Sequence, residues 1–308
     1  MLRLYTHPAC LQHDPGPGHP EQPARLNAVL RALDHDRYAA LDRIEAPRAT
    51  REQLLRVHSA GHVARILADA PAQGNTRRLD EDTVMSAGSA EAALRAAGAV
   101  VAAVDAVMDG ACQHAFCAVR PPGHHATADQ AMGFCLFNNI TVAAAHAIAV
   151  HGLKRVAIAD FDMHHDNGTQ AIFEHERRVL FVSSHQSPLY PDTGHEDECG
   201  VGNIVNRGLS PGAGSHEFRE LWDSVLLPRL HAFKPQLVLV SAGFDAHRND
   251  PLADIRLGQE DYAWITGRLV RLAQTHAGGR LVSTLEGGYD LTALAASAAA
   301  HVSELMAN

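Results

Sequence analysis

Five short runs of apolar, largely β-branched residues punctuate the chain, at 115–119, 155–159, 179–183, 236–241 and 280–285, each closing in a loop that carries Gly or charge. RVAIA at 155–159 and LVLVS at 237–241 lack a polar alternate position. They predict strands buried on both faces, the habit of a parallel sheet covered by helices. Apolar positions recur with a helical period over 87–108, 138–151, 214–233, 259–276 and 291–305, and the Ala-rich stretch AEAALRAAGAVVAAVDAV keeps that period. The N-terminal quarter is less regular: DPGPGHPEQP at 14–23 predicts a loop, and helices are predicted over 24–33 and 52–69. No Pro/Ser/Gly linker and no repeat divides the sequence. The alternation of strand and helix predicts an α/β fold over residues 1–308: a single-domain, doubly wound, mainly parallel sheet with helices on both faces.

Composition narrows the function. A chain of 308 residues with 46% hydrophobic and 20% charged positions is ordinary for a globular protein. Its net charge of −9 has the wrong sign for grasping a phosphate backbone, so no nucleic-acid partner is expected. No apolar run approaches the roughly 18 residues of a membrane span, and the N-terminus has no signal-peptide pattern. Five Cys, at 10, 112, 117, 135 and 199, form no C-x-x-C pair. A cytoplasmic protein is expected. The anomaly is 21 His, several of them clustered with Asp. Imidazole and carboxylate bind borderline metals and move protons near neutral pH.

The clusters follow the predicted strands. Arg120-Pro121-Pro122-Gly123-His124-His125 follows the first, Asp160-Phe161-Asp162-Met163-His164-His165-Asp166-Asn167-Gly168 the second, Ala242-Gly243-Phe244-Asp245-Ala246-His247 the fourth, and Glu286-Gly287-Gly288-Tyr289 the fifth. In a doubly wound sheet such loops open on one edge, so residues remote in sequence can converge. From extended backbone, Asp162 and His164 point the same way. With Asp245 they make three protein ligands and leave one position open, as a catalytic zinc requires. Asp160, two residues earlier, is placed to orient a neighbouring His. His124 and His125 suit acid/base work, and Tyr289, after two glycines, a phenol donor for a developing oxyanion. An isolated HH or GGY is usually structural; four such clusters at four strand ends are not.

These motifs, in this order, resemble the zinc-dependent histone deacetylase family of the arginase/deacetylase fold. The pattern is nearest the class II and bacterial deacetylase-like amidohydrolases, which include acetylpolyamine amidohydrolases. The resemblance runs from about Gly18 to Tyr289 through RPPGHHA, DxDxHHxNGTQ, Tyr190-Pro191-Asp192-Thr193-Gly194, AGFDAH with Asp250-Pro251-Leu252, and EGGY. It implies Asp162, His164 and Asp245 as zinc ligands, a donor set that iron(II) also suits. It implies His124, paired with Asp160, as an electrostatic stabiliser, His125 as general base and then acid, and Tyr289 on the acyl oxygen. Gly133, Phe134 and Tyr190 are implied in a tunnel for an acyl-lysine-like chain, with Leu252 and Asp82 at its rim and Arg25 on an inner channel for acetate. A structural potassium is implied at Asp160, Asp162, His164, Ser183 and Ser184.

Two positions depart from the commoner pattern. Asn167 stands where class I members carry Asp against the second His, which predicts a lower pKa for His125 than in the class I arrangement. Asp166 replaces the usual Gly, which costs something if φ is positive there. The expected reaction is removal of acetyl or another short acyl group from an N-acylated primary amine. Apolar Leu252 at the rim tips the substrate towards acylated lysine peptides over acetylpolyamines or other small acylated amines. An arginase-like ureohydrolase would need further aspartates for a second metal, and a non-catalytic acyl-lysine binder would have lost a ligand, His125 or Tyr289. A homo-oligomer is expected by resemblance only.

Overall fold

The computed structural model describes residues 2–68 and 70–307. Eight strands form one sheet: β1 (Leu2–Thr6), β2 (Asp42–Glu45), β5 (His114–Cys117), β6 (Val156–Asp160), β7 (Val179–Gln186), β8 (Ile204–Leu209), β9 (Leu237–Ala242) and β10 (Leu281–Leu285). Their order is β2-β1-β5-β10-β9-β6-β7-β8, and every described pairing in it is parallel. A separate antiparallel hairpin pairs β3 (Thr76–Arg78) with β4 (Val84–Ser86).

The five predicted strands are β5, β6, β7, β9 and β10, and all of their residues are buried. Helices cover both faces. The Tyr5 hydroxyl reaches the Ala102 carbonyl of α4 (Ser89–Met108), whereas in β5 the ring of Phe116 meets His301 of α10 (Leu291–Ala307). Alongside α4 lies α5 (Asn139–Ala149), and α9 (Gln259–His276) and α1 (Pro23–Ala32) pack on α10. Gly98 is required within α4, because a Cβ there would run into the Pro47 carbonyl of the segment crossing the helix.

Two predicted helices divide. Residues 52–68 form α2 (Arg51–Leu54) and α3 (Ala60–Ala68), and position 69 lies outside the described residues. At the break the Ser59 hydroxyl accepts from the His62 N–H, and His58 is tied to the Thr127 carbonyl and the Asn138 N–H. After the short α6 (Asn167–Phe173), the stretch 214–233 runs as α7 (Ser215–Leu221), a π turn at Trp222–Leu226 and α8 (Leu227–Phe233). Pro228 has no N–H and its ring crowds the preceding turn, which the wider turn relieves.

The four strands whose following loops carry the chemistry are β5, β10, β9 and β6, consecutive at the sheet's centre. Their carboxyl ends therefore deliver all four clusters to one crevice.

Candidate active site

Asp162 and His164 lie in the loop that follows β6, which bends at 163–164, and Asp245 follows β9. Nδ1 of His164 lies 3.2 Å from Asp162 Oδ1 and 2.9 Å from Asp245 Oδ2. The other carboxylate oxygens are held by backbone: Gly287 N–H donates to Asp162 Oδ2 at 2.8 Å and Met163 N–H to Asp245 Oδ1 at 2.9 Å. Side chains at Gly243 or Gly287 would collide with these carboxylates. Burial alone would lower the His164 pKa, yet hydrogen bonds to Asp162 and Asp245 drive it up to about 10. The space between the two carboxylates thus strongly favours positive charge. Two carboxylates and one imidazole, their donor atoms within 4.8 Å of one another, are a set that fits a zinc-like dication.

The vicinal imidazoles stand beside this cluster, their rings 4.0 Å apart, with His125 6.0 Å from His164. His124 Nδ1 bonds Asp160 Oδ2 at 3.0 Å, and Asp160 Oδ1 accepts from Asp162 N–H at 2.6 Å. Burial would lower the His124 pKa, but Asp162, Glu286, Asp166 and Asp245 together raise it. His125 moves the other way, well below its ordinary value, mainly because it is buried and secondly because His124 and His164 are near. The bond from His125 Nδ1 to the neutral Asn167 Oδ1, at 2.7 Å, pulls only slightly upward. Asn167 fixes the tautomer: Nδ1 donates to the amide oxygen and Nε2 keeps a lone pair.

Asp166 does not need a left-handed backbone. Its φ is −75°, and it caps α6 by accepting from Thr169 N–H at 2.9 Å. Its second oxygen meets no donor and lies against Asp160, and burial, then Asp160, pushes its carboxyl well above the usual range.

Tyr289 sits over the guanidinium of Arg25, 4.8 Å from Cζ to the ring centre, and edge-on to Phe134 at 5.8 Å. Arg25 is fully buried and donates to the Gly288 and Glu286 carbonyls at 2.5 and 2.6 Å. Tyr190, 40% exposed, presents its ring to His125 at 5.3 Å. Gly133 has φ +55°, and any Cβ there would strike the His125 ring. Asp82 lies in the turn of the β3–β4 hairpin with Asp80 and Glu81; its carbonyl accepts from His19, whose ring also packs edge-on to Phe134. Leu252 is tied in through Asp250, which accepts from Leu252 N–H at 3.0 Å and from Tyr289 N–H at 2.7 Å. Of the implied potassium residues, Ser183 pairs in register with Asp160. The Ser184 hydroxyl accepts from the Trp222 indole N–H at 3.0 Å.

Several supporting residues had no legible role in sequence. Glu286 accepts from the N–H groups of Gly123 and His124, at 2.7 and 3.2 Å, and so holds the His-His loop to the end of β10. Beneath the site Glu21 is completely buried, ion-paired with Arg120 and with Arg25, and 3.4 Å from His13. Burial would raise the Glu21 carboxyl, but Arg120, His13 and Arg25 hold it well below its ordinary 4.5. Glu21→Gln leaves two buried guanidinium groups short of a counter-charge and should cost about 3–5 kcal/mol in denaturant unfolding. Because the folded pKa is depressed, the Glu21 contribution is complete above the ordinary value and is lost as pH falls through the folded one. A loss under about 1 kcal/mol would show the network to be dispensable.

The chain is similar to known proteins over most of its length. Residues 19–305 match the histone deacetylase domain family. The chain is 39% identical over 295 residues to a probable deacetylase of Archaeoglobus fulgidus, covering 94% of this chain and 81% of that protein. It is 42% identical over 278 residues to a histone deacetylase-like amidohydrolase of Pseudomonas aeruginosa, covering 88% and 73%. The crystal structure of the HDA15 HD domain superposes with a TM-score of 0.93 at 36% identity, over 100% of this chain and 88% of that one.

Proposed function

Because this chain belongs to the histone deacetylase family, we propose that it hydrolyses the amide of an N-acetylated primary amine at the end of a slender alkyl chain, releasing acetate and the free amine. The observation that carries this reading is the pair of adjacent imidazoles with opposed proton affinities beside a three-donor, cation-favouring cluster. Asp162, His164 and Asp245 would hold one zinc ion, with iron(II) chemically admissible, which when bound polarises the acyl oxygen and acidifies a water. His125 Nε2 takes the proton of the attacking water, and the same nitrogen returns it to the departing amine as the carbon–nitrogen bond breaks. His124, held by Asp160, supplies positive charge facing the oxyanion, and the Tyr289 phenol donates to that oxygen.

Phe134 and Tyr190 are read as walls for the alkyl chain, and Arg25 as the charge that draws acetate inward beneath Tyr289. The potassium ligands are read as Asp160, the carbonyls of Asp162 and His164, Ser183 and the Ser184 carbonyl. Residues 1–308 are read as one catalytic domain.

Apolar Leu252 favours an acetyl-lysine peptide. The acidic turn Asp80-Glu81-Asp82 is the observation in favour of a second reading, a substrate with another amine such as an acetylpolyamine. Parallel kinetics on an acetyl-lysine peptide and N-acetylputrescine test the choice. A higher kcat/KM on the peptide is expected; a reversed order transfers the reading to acetylpolyamines, and hydrolysis of neither overturns it.

A further inference from the structure

A second group of potential ligands lies at the opposite edge of the sheet from the crevice. It is built from Asp105 near the C-terminus of α4, His146 in the last turn of α5 and His151 just beyond α5. His146 is about 12 Å along the α5 axis from Asn138, whose side chain reaches the His124 loop. Nε2 of His146 and Nε2 of His151 each lie 2.7 Å from the same oxygen, Asp105 Oδ1, with the two rings 5.7 Å apart. All three donor atoms lie within 4.8 Å of one another. The His146 side chain is 6% exposed and Asp105 44%, so the cluster is walled on one side and open to water on the other. Burial would raise the Asp105 carboxyl, but hydrogen bonds from His151 and His146 bring it below its ordinary value and keep it anionic.

We propose that Asp105, His146 and His151 form a second divalent-cation site, distinct from the catalytic cluster, that takes a first-row transition ion such as Zn2+ with water completing its shell. Two imidazoles and a carboxylate are the donor chemistry of such ions. Spreading the ligands from hydrogen-bond to coordination spacing needs a shift of about half an ångström, within reach of side chains at a helix end.

One neighbour opposes binding and makes the proposal specific. Arg56 donates to His146 Nδ1 at 2.9 Å, which obliges Nε2 to carry the ring proton and give it to Asp105. For a metal to take Nε2, the proton must move to Nδ1, and Arg56 must turn away while keeping its 3.0 Å bond to Glu52. Arg56 is therefore a competitor for this site.

Equilibrium dialysis of the full chain against excess Zn2+, followed by elemental analysis, tests this. Wild type should hold one equivalent more than His151→Ala, and Asp105→Asn, which preserves side-chain size, should lose the same equivalent. Turnover of His151→Ala should stay within about twofold of wild type, since the cluster touches no reacting group. Arg56→Gln should tighten the extra equivalent by about tenfold, the scale of a ligand-orienting neighbour. A plain structural network of hydrogen bonds gives no such tightening. Equal zinc content in wild type and His151→Ala, or weaker uptake by Arg56→Gln, overturns the proposal; loss of the other equivalent instead would count against the catalytic cluster, so the two readings fail separately.

Discussion

Replacing His125 by Ala should lower kcat on an acetylated amine by roughly 10²- to 10⁴-fold, the contribution of a positioned general base. His125 is buried, its Nδ1 is committed to Asn167 at 2.7 Å, and its remaining nitrogen is unprotonated because burial and the nearby His124 and His164 disfavour a charge there. His124 is poorly suited to the role: the carboxylates around it raise its proton affinity, and its Nδ1 is bound to Asp160. The loss should fall on kcat rather than KM, because the substitution leaves in place Phe134 and Tyr190, the proposed walls for the alkyl chain. Steady-state kinetics, with zinc content and thermal unfolding measured on the same preparation, check it. A variant within about tenfold of wild type, still folded and metal-loaded, would remove His125 from proton transfer.

The central strands were legible because they are buried on both faces: nothing polar interrupts VAIA or LVLV. The strands that escaped lie at or next to the sheet's edges. In β2, DRIE alternates half-buried and exposed positions, and in β8, IVNRGL carries Asn, Arg and Gly. Over so few residues, half-polar strands look like loops. Position β1 holds only LRLYT, with Arg3 reaching Asp42 on its edge neighbour. The hairpin carrying Asp82 has a fully exposed first strand, so no apolar period announces it.

The candidate site was legible for a different reason. Its donors lie in short local patterns, Asp162-x-His164 and His124-His125, which the ends of four consecutive central strands bring to one crevice. What sequence could not reveal were pairings between remote residues: Glu286 gripping Gly123, and Glu21 meeting Arg120. Residue type shows that such groups are chargeable, while only the fold shows which partner compensates a buried charge. Residue type at 166 predicts a backbone cost only if φ is positive, and the backbone instead makes Asp166 a helix cap at φ −75°.

The second large effect concerns Asp245. It is the proposed ligand furthest in sequence from the other two, delivered by a different strand, and its Oδ2 closes the cluster against His164 at 2.9 Å. Asp245→Ala removes one of three protein donors and half of the carboxylate charge that favours a cation there. Zinc affinity at this cluster should collapse, and turnover should fall by roughly 10³-fold or more, the several kcal/mol that a Lewis-acidic ion supplies. The substitution removes the bonds to Met163 N–H and His164 Nδ1, and His164 keeps Asp162 as a partner, so the fold should survive with near-wild-type circular dichroism.

The most direct test of the account is hydrolysis of an acetyl-lysine peptide by chelator-stripped protein, followed as acetate release before and after Zn2+ is restored. The stripped wild type should be inactive and recover on zinc addition, while Asp245→Ala should stay inactive at the same zinc concentration. Undiminished acetate release by the stripped wild type, or full recovery by Asp245→Ala, would contradict it.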